Sequence, residues 1–222
     1  MERAYFVNSS KSVPLHSIFC VGRNYARHAA ELNNPVPEAP LIFLKPLSAV
    51  VQDGGTVVLP EQSREVHHEV EVVALIGRKG KHISPKEARS YVAGYAVGID
   101  LTARDVQQAA KARGHPWTIA KGFDTFAPLS RFVPPEAVGD PFRMEFSLRV
   151  NGQLRQQGNT ADMLFPLPEL IAYLSGIFTL KPGDLIFTGT PEGVGPVHPG
   201  DVLQAELEGL TSLRVEVVRA PS

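Results

Sequence analysis

Residues 65–77 read EVHHEVEVVALIG, an apolar run into which two glutamates are set one residue apart. Side chains alternate faces along a β-strand, so Glu69 and Glu71 point one way while Val70 and Val72 pack on the other. Two carboxylates held that close repel, and the repulsion grows as water is excluded. The pair then needs a proton, an arginine or a cation between its members. At an exposed sheet edge the two acids would simply be solvated, and that alternative stands until a third partner is found.

GIDLTARDVQ, residues 98–107, supplies the third partner. Asp100 closes an apolar strand just before a helix, and the carboxyl end of a buried strand is where open sheets place binding groups. An ordinary turn or capping aspartate is the competing account. Three carboxylates with no His/Cys cluster make an all-oxygen site suited to Mg2+ or Mn2+, with waters or substrate at the remaining positions. His67 and His68 could instead draw in zinc or a transition metal, but the run lacks the HxH or HExxH spacing that makes histidine ligation specific.

The composition around these residues is that of a globular protein: 222 residues, 43% hydrophobic and 20% charged. That is enough chain for a sizeable core, read as one domain spanning 1–222. A net charge of −1 gives no basic field to attract nucleic acid or anionic membrane, and neither is expected as a partner. The lone Cys20 cannot form an internal disulfide, and the first twenty residues lack an uninterrupted apolar h-region, so a cytoplasmic location is expected. No window approaches the ~20 apolar residues needed to cross a bilayer.

Glycine and proline, 19 of each, punctuate short Val/Ile/Leu/Phe runs, the pattern of a strand-rich domain with many turns. Strands are predicted at 17–21, 41–45, 56–59, 69–76, 91–100, 145–150, 184–188, 202–207 and 212–218, and helices at 25–32, 85–91, 103–111 and 166–174. Thr102 is the expected cap of the third helix, with Asp105 at its positive end. Segments 33–39 and 113–118 read as loops, and no internal repeat is visible. His28 and Glu31 are three apart and share a helix face, as do Arg104 and Gln107; solvated surface pairs would look the same. TGTPEGVG lacks the GK[ST] ending of a phosphate loop.

Six segments in order, VGRNYARHAAEL (21–32), LIFLKP (41–46), HHEVEVVALIG (67–77), GIDLTARDVQ (98–107), KGFDTFAPLS (121–130) and FTGTPEGVG (187–195), resemble the fumarylacetoacetate hydrolase family. The likeness is to its small acylpyruvase-like branch and covers about residues 17–217. It implies an α+β fold, a mixed, strongly curved β-roll or sandwich with short flanking helices, assembled as a homodimer. It implies that Glu69, Glu71 and Asp100 bind one Mg2+ or Mn2+. The fourth protein carboxylate of some larger members has no convincing match, and water takes its place.

The same resemblance implies that His28 and Glu31 sit on a mobile lid helix, the glutamate orienting the histidine to activate water. Arg104, Gln107 and Lys121 would position substrate or stabilise oxyanion charge, with Thr125 behind them. Thr190, with Gly189 and the neighbouring backbone N–H groups, would receive a substrate carboxylate, a plain turn being the alternative. Arg23 is a further expected anion contact, and Lys45 either an anion contact or a structural lysine. The leading expectation is hydrolytic C–C cleavage of a 3-acylpyruvate such as acetylpyruvate or fumarylpyruvate, a small 2-oxo acid. His28 would take a proton from the attacking water while the cations steady the tetrahedral oxyanion. The alternatives are oxaloacetate decarboxylation, or isomerisation and decarboxylation of 2-hydroxyhepta-2,4-diene-1,7-dioate, in the same site. Furthest removed is a noncatalytic metal- or ligand-binding β module.

Overall fold

The strand Val70–Ile76 is buried at every position, as only a strand covered on both faces can be. In the computed structural model, which describes residues 2–32 and 35–220, it is the middle strand of a seven-stranded sheet. The order across that sheet is Leu41–Lys45, Ile18–Gly22, Leu185–Phe187, Val70–Ile76, Val92–Ile99, Ala127–Leu129, Val50–Gln52. Leu185–Phe187 runs parallel to Ile18–Gly22, and Ala127–Leu129 parallel to Val50–Gln52; the other pairings are antiparallel.

A five-stranded sheet, ordered Gln153–Asn159, Glu145–Val150, Val202–Leu207, Thr211–Arg219, Thr56–Leu59, packs across the central strands. Its sequences alternate because one face is solvated: Phe146, Leu148 and Val150, then Leu203, Ala205 and Leu207, then Leu213, Val215 and Val217 all point into the shared core. The result is an α+β architecture built on a strongly curled mixed sheet with few, short helices, as expected.

The chain changes sheets at the acidic pair. Val66–His68 belongs to a three-stranded sheet with Thr102–Ala103 and Gly195–Pro196, while Val70–Ile76 belongs to the seven-stranded one. Glu69 is the residue between, and its carbonyl accepts the Asp100 N–H at 2.8 Å. That bond carries the pairing of the two central strands across the break and sets Asp100 beside the two glutamates.

Each predicted strand is found at its place, to within a residue or two at the ends. Gln153–Asn159 was not predicted: LRQQGN is polar because only Gln156 of that edge strand is fully buried. The segment 85–91 forms turns and a single 3-10 turn, Ala88–Tyr91, instead of an α-helix. Thr102 does not cap the third helix. It pairs with His67 in a short strand and donates its hydroxyl to the Asp100 carbonyl, and the helix Arg104–Ala112 begins after Ala103. Asp105 does sit in the first turn, accepting from Val106 N–H, Arg64 N–H and the Ser63 hydroxyl. The loop expected at 113–118 ends in a one-turn helix, Thr118–Lys121. In the loop expected at 33–39, residues 33 and 34 lie outside the described residues and 35–39 are irregular. Among the described residues no helix is long and apolar enough to cross a membrane.

Candidate active site and metal centre

Glu69, Glu71 and Asp100 converge, each offering an oxygen within 4.8 Å of the others. They are 5%, 1% and 1% exposed, which excludes the solvated edge strand. Neither adjacent histidine joins them. His67 pairs with Glu65 at 2.9 Å, and His68 Nδ1 lies 2.9 Å from Gln156 Oε1. Among the described residues this acidic triad is the one group of His, Cys, Asp or Glu arranged to hold a metal.

Three cations surround it. Lys121 Nζ bridges Asp100 Oδ2 at 2.6 Å and Glu69 Oε2 at 2.7 Å, and Arg104 Nη2 is salt-bridged to Glu69 Oε1. Lys45, fully buried, lies 2.7 Å from Asp100 Oδ1 but donates its hydrogens to the carbonyls of Leu101, Lys121 and Phe126. Asp100 Oδ1 therefore sits next to a positive charge and, among the described residues, accepts no hydrogen bond. Lys45 is thus the structural lysine of the two expected readings.

The carboxylates differ sharply. Burial alone would push the Glu69 carboxyl up, but Lys121 and Arg104 override it and hold the group well below the ordinary range. Burial, and then the neighbouring Asp100 charge, push Glu71 well above it. Burial favours the neutral amine of Lys121, yet Asp100 and Glu69 raise it overall. A buried carboxylate short of positive charge and an unpartnered carboxylate oxygen, in an all-oxygen donor set, fit a hard divalent cation.

The cleft above the triad is lined by His28, Arg104, Gln107, Lys121, Arg23 and Thr190, so the structure brings the expected residues together. Arg104 Nη1 donates to Gln107 Oε1 at 2.8 Å, both side chains projecting from the first turns of Arg104–Ala112. His28 is held below its ordinary pKa by burial; Glu69 opposes this, Arg104 reinforces it and Glu31 opposes it. Glu31 Oε2 stands 3.6 Å from His28 Nδ1, too far for a hydrogen bond. Its carboxylate instead accepts the Gly193 N–H at 3.1 and 3.2 Å, and Arg27 pairs with Glu192 at 3.3 Å. The helix Ala26–Glu31 is thereby pinned to the loop that follows Thr190.

Gly189 is placed differently from expectation. Its N–H donates to Glu71 Oε2 at 2.7 Å, so it orients a triad carboxylate and is not open to a substrate. At φ +101°, with a Cβ destined to fall 2.6 Å from Asn24 Cβ, the position admits only glycine. Thr125, at φ +67°, accepts Val58 N–H at 2.9 Å and braces the segment after Lys121. Arg23 holds its guanidinium 6.0 Å from the centre of the Trp117 ring. Asn24, Lys111, Trp117 and Gln156 were not singled out by the sequence. Asn24 ties Phe165 and Thr188 to the strand end beside the cleft, which Lys111 and Trp117 line. Only Asn24 lay inside a quoted motif, VGRNYARHAAEL.

A curled mixed sheet carrying a buried carboxylate triad ringed by lysine and arginine defines a metal-dependent enzyme. The family described as fumarylacetoacetate (FAA) hydrolase, C-terminal, matches residues 17–218, and the chain belongs to that family. It is 50% identical over 202 residues to a mitochondrial oxaloacetate tautomerase of Arabidopsis thaliana, covering 91% of each chain. It is 48% identical over 203 residues to a mitochondrial oxaloacetate decarboxylase of Dictyostelium discoideum, covering 90% of this chain and 93% of that one. Among solved structures, a fumarylpyruvate hydrolase from Pseudomonas aeruginosa in complex with Mn2+ and pyruvate superposes with a TM-score of 0.93 at 41% identity, over 99% of this chain and 96% of that one.

Proposed function

We propose that this protein is a Mg2+- or Mn2+-dependent enzyme of oxaloacetate, interconverting its enol and keto forms and decarboxylating it. The observation that carries this is the setting of the triad: two cations, Lys121 and Arg104, and a histidine that burial keeps neutral all face one cleft. Such a site suits a dianionic 2-oxo acid whose negative charge shifts toward one oxygen as a proton or CO2 leaves. A divalent cation held by Glu69, Glu71 and Asp100 supplies Lewis-acid polarisation of a 2-oxo carbonyl. Neutral His28 accepts the C3 proton and returns it. Arg104, Gln107 and Lys121 steady the developing charge, and Thr190 and Arg23 receive a carboxylate.

The Arabidopsis thaliana and Dictyostelium discoideum relatives, 50% and 48% identical to this chain, carry oxaloacetate in their names, which favours the chemistry ranked second on sequence over acylpyruvate hydrolysis. The Glu31 contact is compatible with this: its carboxylate accepts from Gly193 and stands 3.6 Å from His28, and neither enol–keto exchange nor decarboxylation needs the activated water for which that pair would have to close. Hydrolysis of a 3-acylpyruvate is the second reading, favoured by the mere presence of His28 and Glu31 on one helix face and by the fumarylpyruvate hydrolase likeness. The proposal extends to a homodimer: Leu44, on the edge strand of the seven-stranded sheet, and nearby Ile119 are 46% and 70% exposed. Sedimentation at twice the chain mass is the expected result.

The test follows the ultraviolet enol absorbance of oxaloacetate and of acetylpyruvate with EDTA-stripped protein, before and after Mg2+, above the rate that Mg2+ gives alone. Metal-dependent loss of oxaloacetate enol at the higher kcat/KM is expected. Faster consumption of acetylpyruvate would make hydrolysis the leading activity, and no turnover of either would leave the binding module.

A further inference from the structure

Gln156 is 1% exposed on a strand whose other positions are largely solvated, and its side-chain amide makes four hydrogen bonds. Oε1 accepts the Val70 N–H at 3.1 Å and lies 2.9 Å from His68 Nδ1; Nε2 donates to Thr190 Oγ1 at 2.9 Å and to the Pro191 carbonyl at 3.0 Å. The amide orientation is fixed by its two backbone partners, because an N–H requires oxygen and a carbonyl requires NH2. Two consequences follow. His68 Nδ1 must carry the proton, and Thr190 Oγ1 must spend a lone pair accepting from Gln156. The Thr190 hydroxyl proton is then left to donate, and among the described residues it donates to no protein group; Thr190 lines the cleft.

We infer that Gln156 is a positioning residue that makes Thr190 a fixed hydroxyl donor to an anionic oxygen of the substrate, while joining the loop of Thr190 to the strand of the triad. Val70, which Gln156 holds, lies between Glu69 and Glu71, and Gly189, next to Thr190, holds Glu71. The same two segments are thus tied twice, once through each side of the triad. The role rests on Thr190 being a substrate contact, as proposed for the oxaloacetate reaction.

The test is a double-mutant cycle read as oxalate affinity of the Mn2+-loaded protein by calorimetry, with Mn2+ affinity measured beside it. A hydrogen bond from a preset donor to a charged oxygen is worth about tenfold or more in affinity. Thr190→Val and Gln156→Met should each weaken oxalate by about that factor, and Gln156→Met should add little on the Thr190→Val background. Thr190→Ser should restore most of the loss. If Gln156→Met does not fold, Gln156→Glu completes the cycle: its carboxylate still accepts from Val70 and His68, and its charge effect cancels between the two backgrounds. Losses that multiply, or a Gln156 variant that binds oxalate as wild type while Thr190→Val does not, would overturn the role of Gln156. Unchanged affinity in Thr190→Val would overturn the substrate contact itself, and with it the inference.

Discussion

Gly189 donates its backbone N–H to Glu71 Oε2 at 2.7 Å, and this one bond fastens the loop after Leu185–Phe187 to the acidic end of Val70–Ile76. Among the described residues it is the sole hydrogen bond to a carboxylate that burial and Asp100 push well above its ordinary pKa. The loop therefore does part of the work of holding the triad in register, through its backbone and at a residue whose φ of +101° excludes a side chain.

Gly189→Ala tests that arrangement. A side chain at this φ is strained by about 1–3 kcal/mol, and the Cβ would meet Asn24 as well. The melting temperature should fall, and Mn2+ affinity should fall with it as the N–H leaves Glu71. Mn2+ affinity equal to wild type, measured by calorimetry, would show that the bond does not orient the triad.

Lys121→Met removes the ammonium that bridges Glu69 and Asp100 and leaves two buried carboxylates without it. Breaking a buried pair typically costs about 3–5 kcal/mol. Chemical denaturation of stripped protein should show a loss of that order, with Mg2+ stabilising the variant more than it stabilises wild type. Equal stabilisation of both would mean that Lys121 and the cation do not share the same charges.

The pH dependence follows from His28. Burial favours the neutral imidazole, so its pKa in the fold lies below the ordinary histidine value of about 6.5. The base form persists at neutral pH and is lost only as pH falls through that lowered value, so the acid limb of kcat/KM should lie below pH ~6.5. The Glu31 charge raises His28, hence Glu31→Gln should move the limb further down. An upward move, in a pH–rate profile under saturating Mg2+, would contradict this sign.

Glu31→Ala separates the two chemistries. Decarboxylation and enol–keto exchange need no activated water, and Glu31 is bonded to Gly193 and not to His28. Oxaloacetate turnover should survive within about tenfold, while any acylpyruvate hydrolysis should fall by roughly the 10²–10⁴ typical of a lost acid–base group. Equal losses on both substrates would put Glu31 in a shared step.

Much of this was legible in the residues. EVEVVALI announced both the central strand and its burden, because two acids inside a buried run require a partner, and Asp100 at the next strand end supplied one. The alternating strands of the five-stranded sheet declared themselves by period. Gln153–Asn159 did not, since its single buried side chain is polar and its partners are two backbone groups and the side chains of His68 and Thr190. Thr102 misled because a capping residue type sat two positions before the helix Arg104–Ala112, in a short strand paired with His67. Gly189 was placed in the right loop but given to the substrate, because the target of a backbone N–H depends on the strand packed against it. The choice among enolate reactions was hidden for a related reason: one triad serves them all.

The central claim is that Glu69, Glu71 and Asp100 hold one divalent cation, and calorimetric titration of Mn2+ into EDTA-stripped protein tests it most directly. One ion per chain should bind wild type, and Glu71→Gln and Asp100→Asn should each weaken it by at least tenfold while keeping the fold by circular dichroism. Mn2+ binding of wild-type strength in both variants would contradict the assignment and move the cation elsewhere.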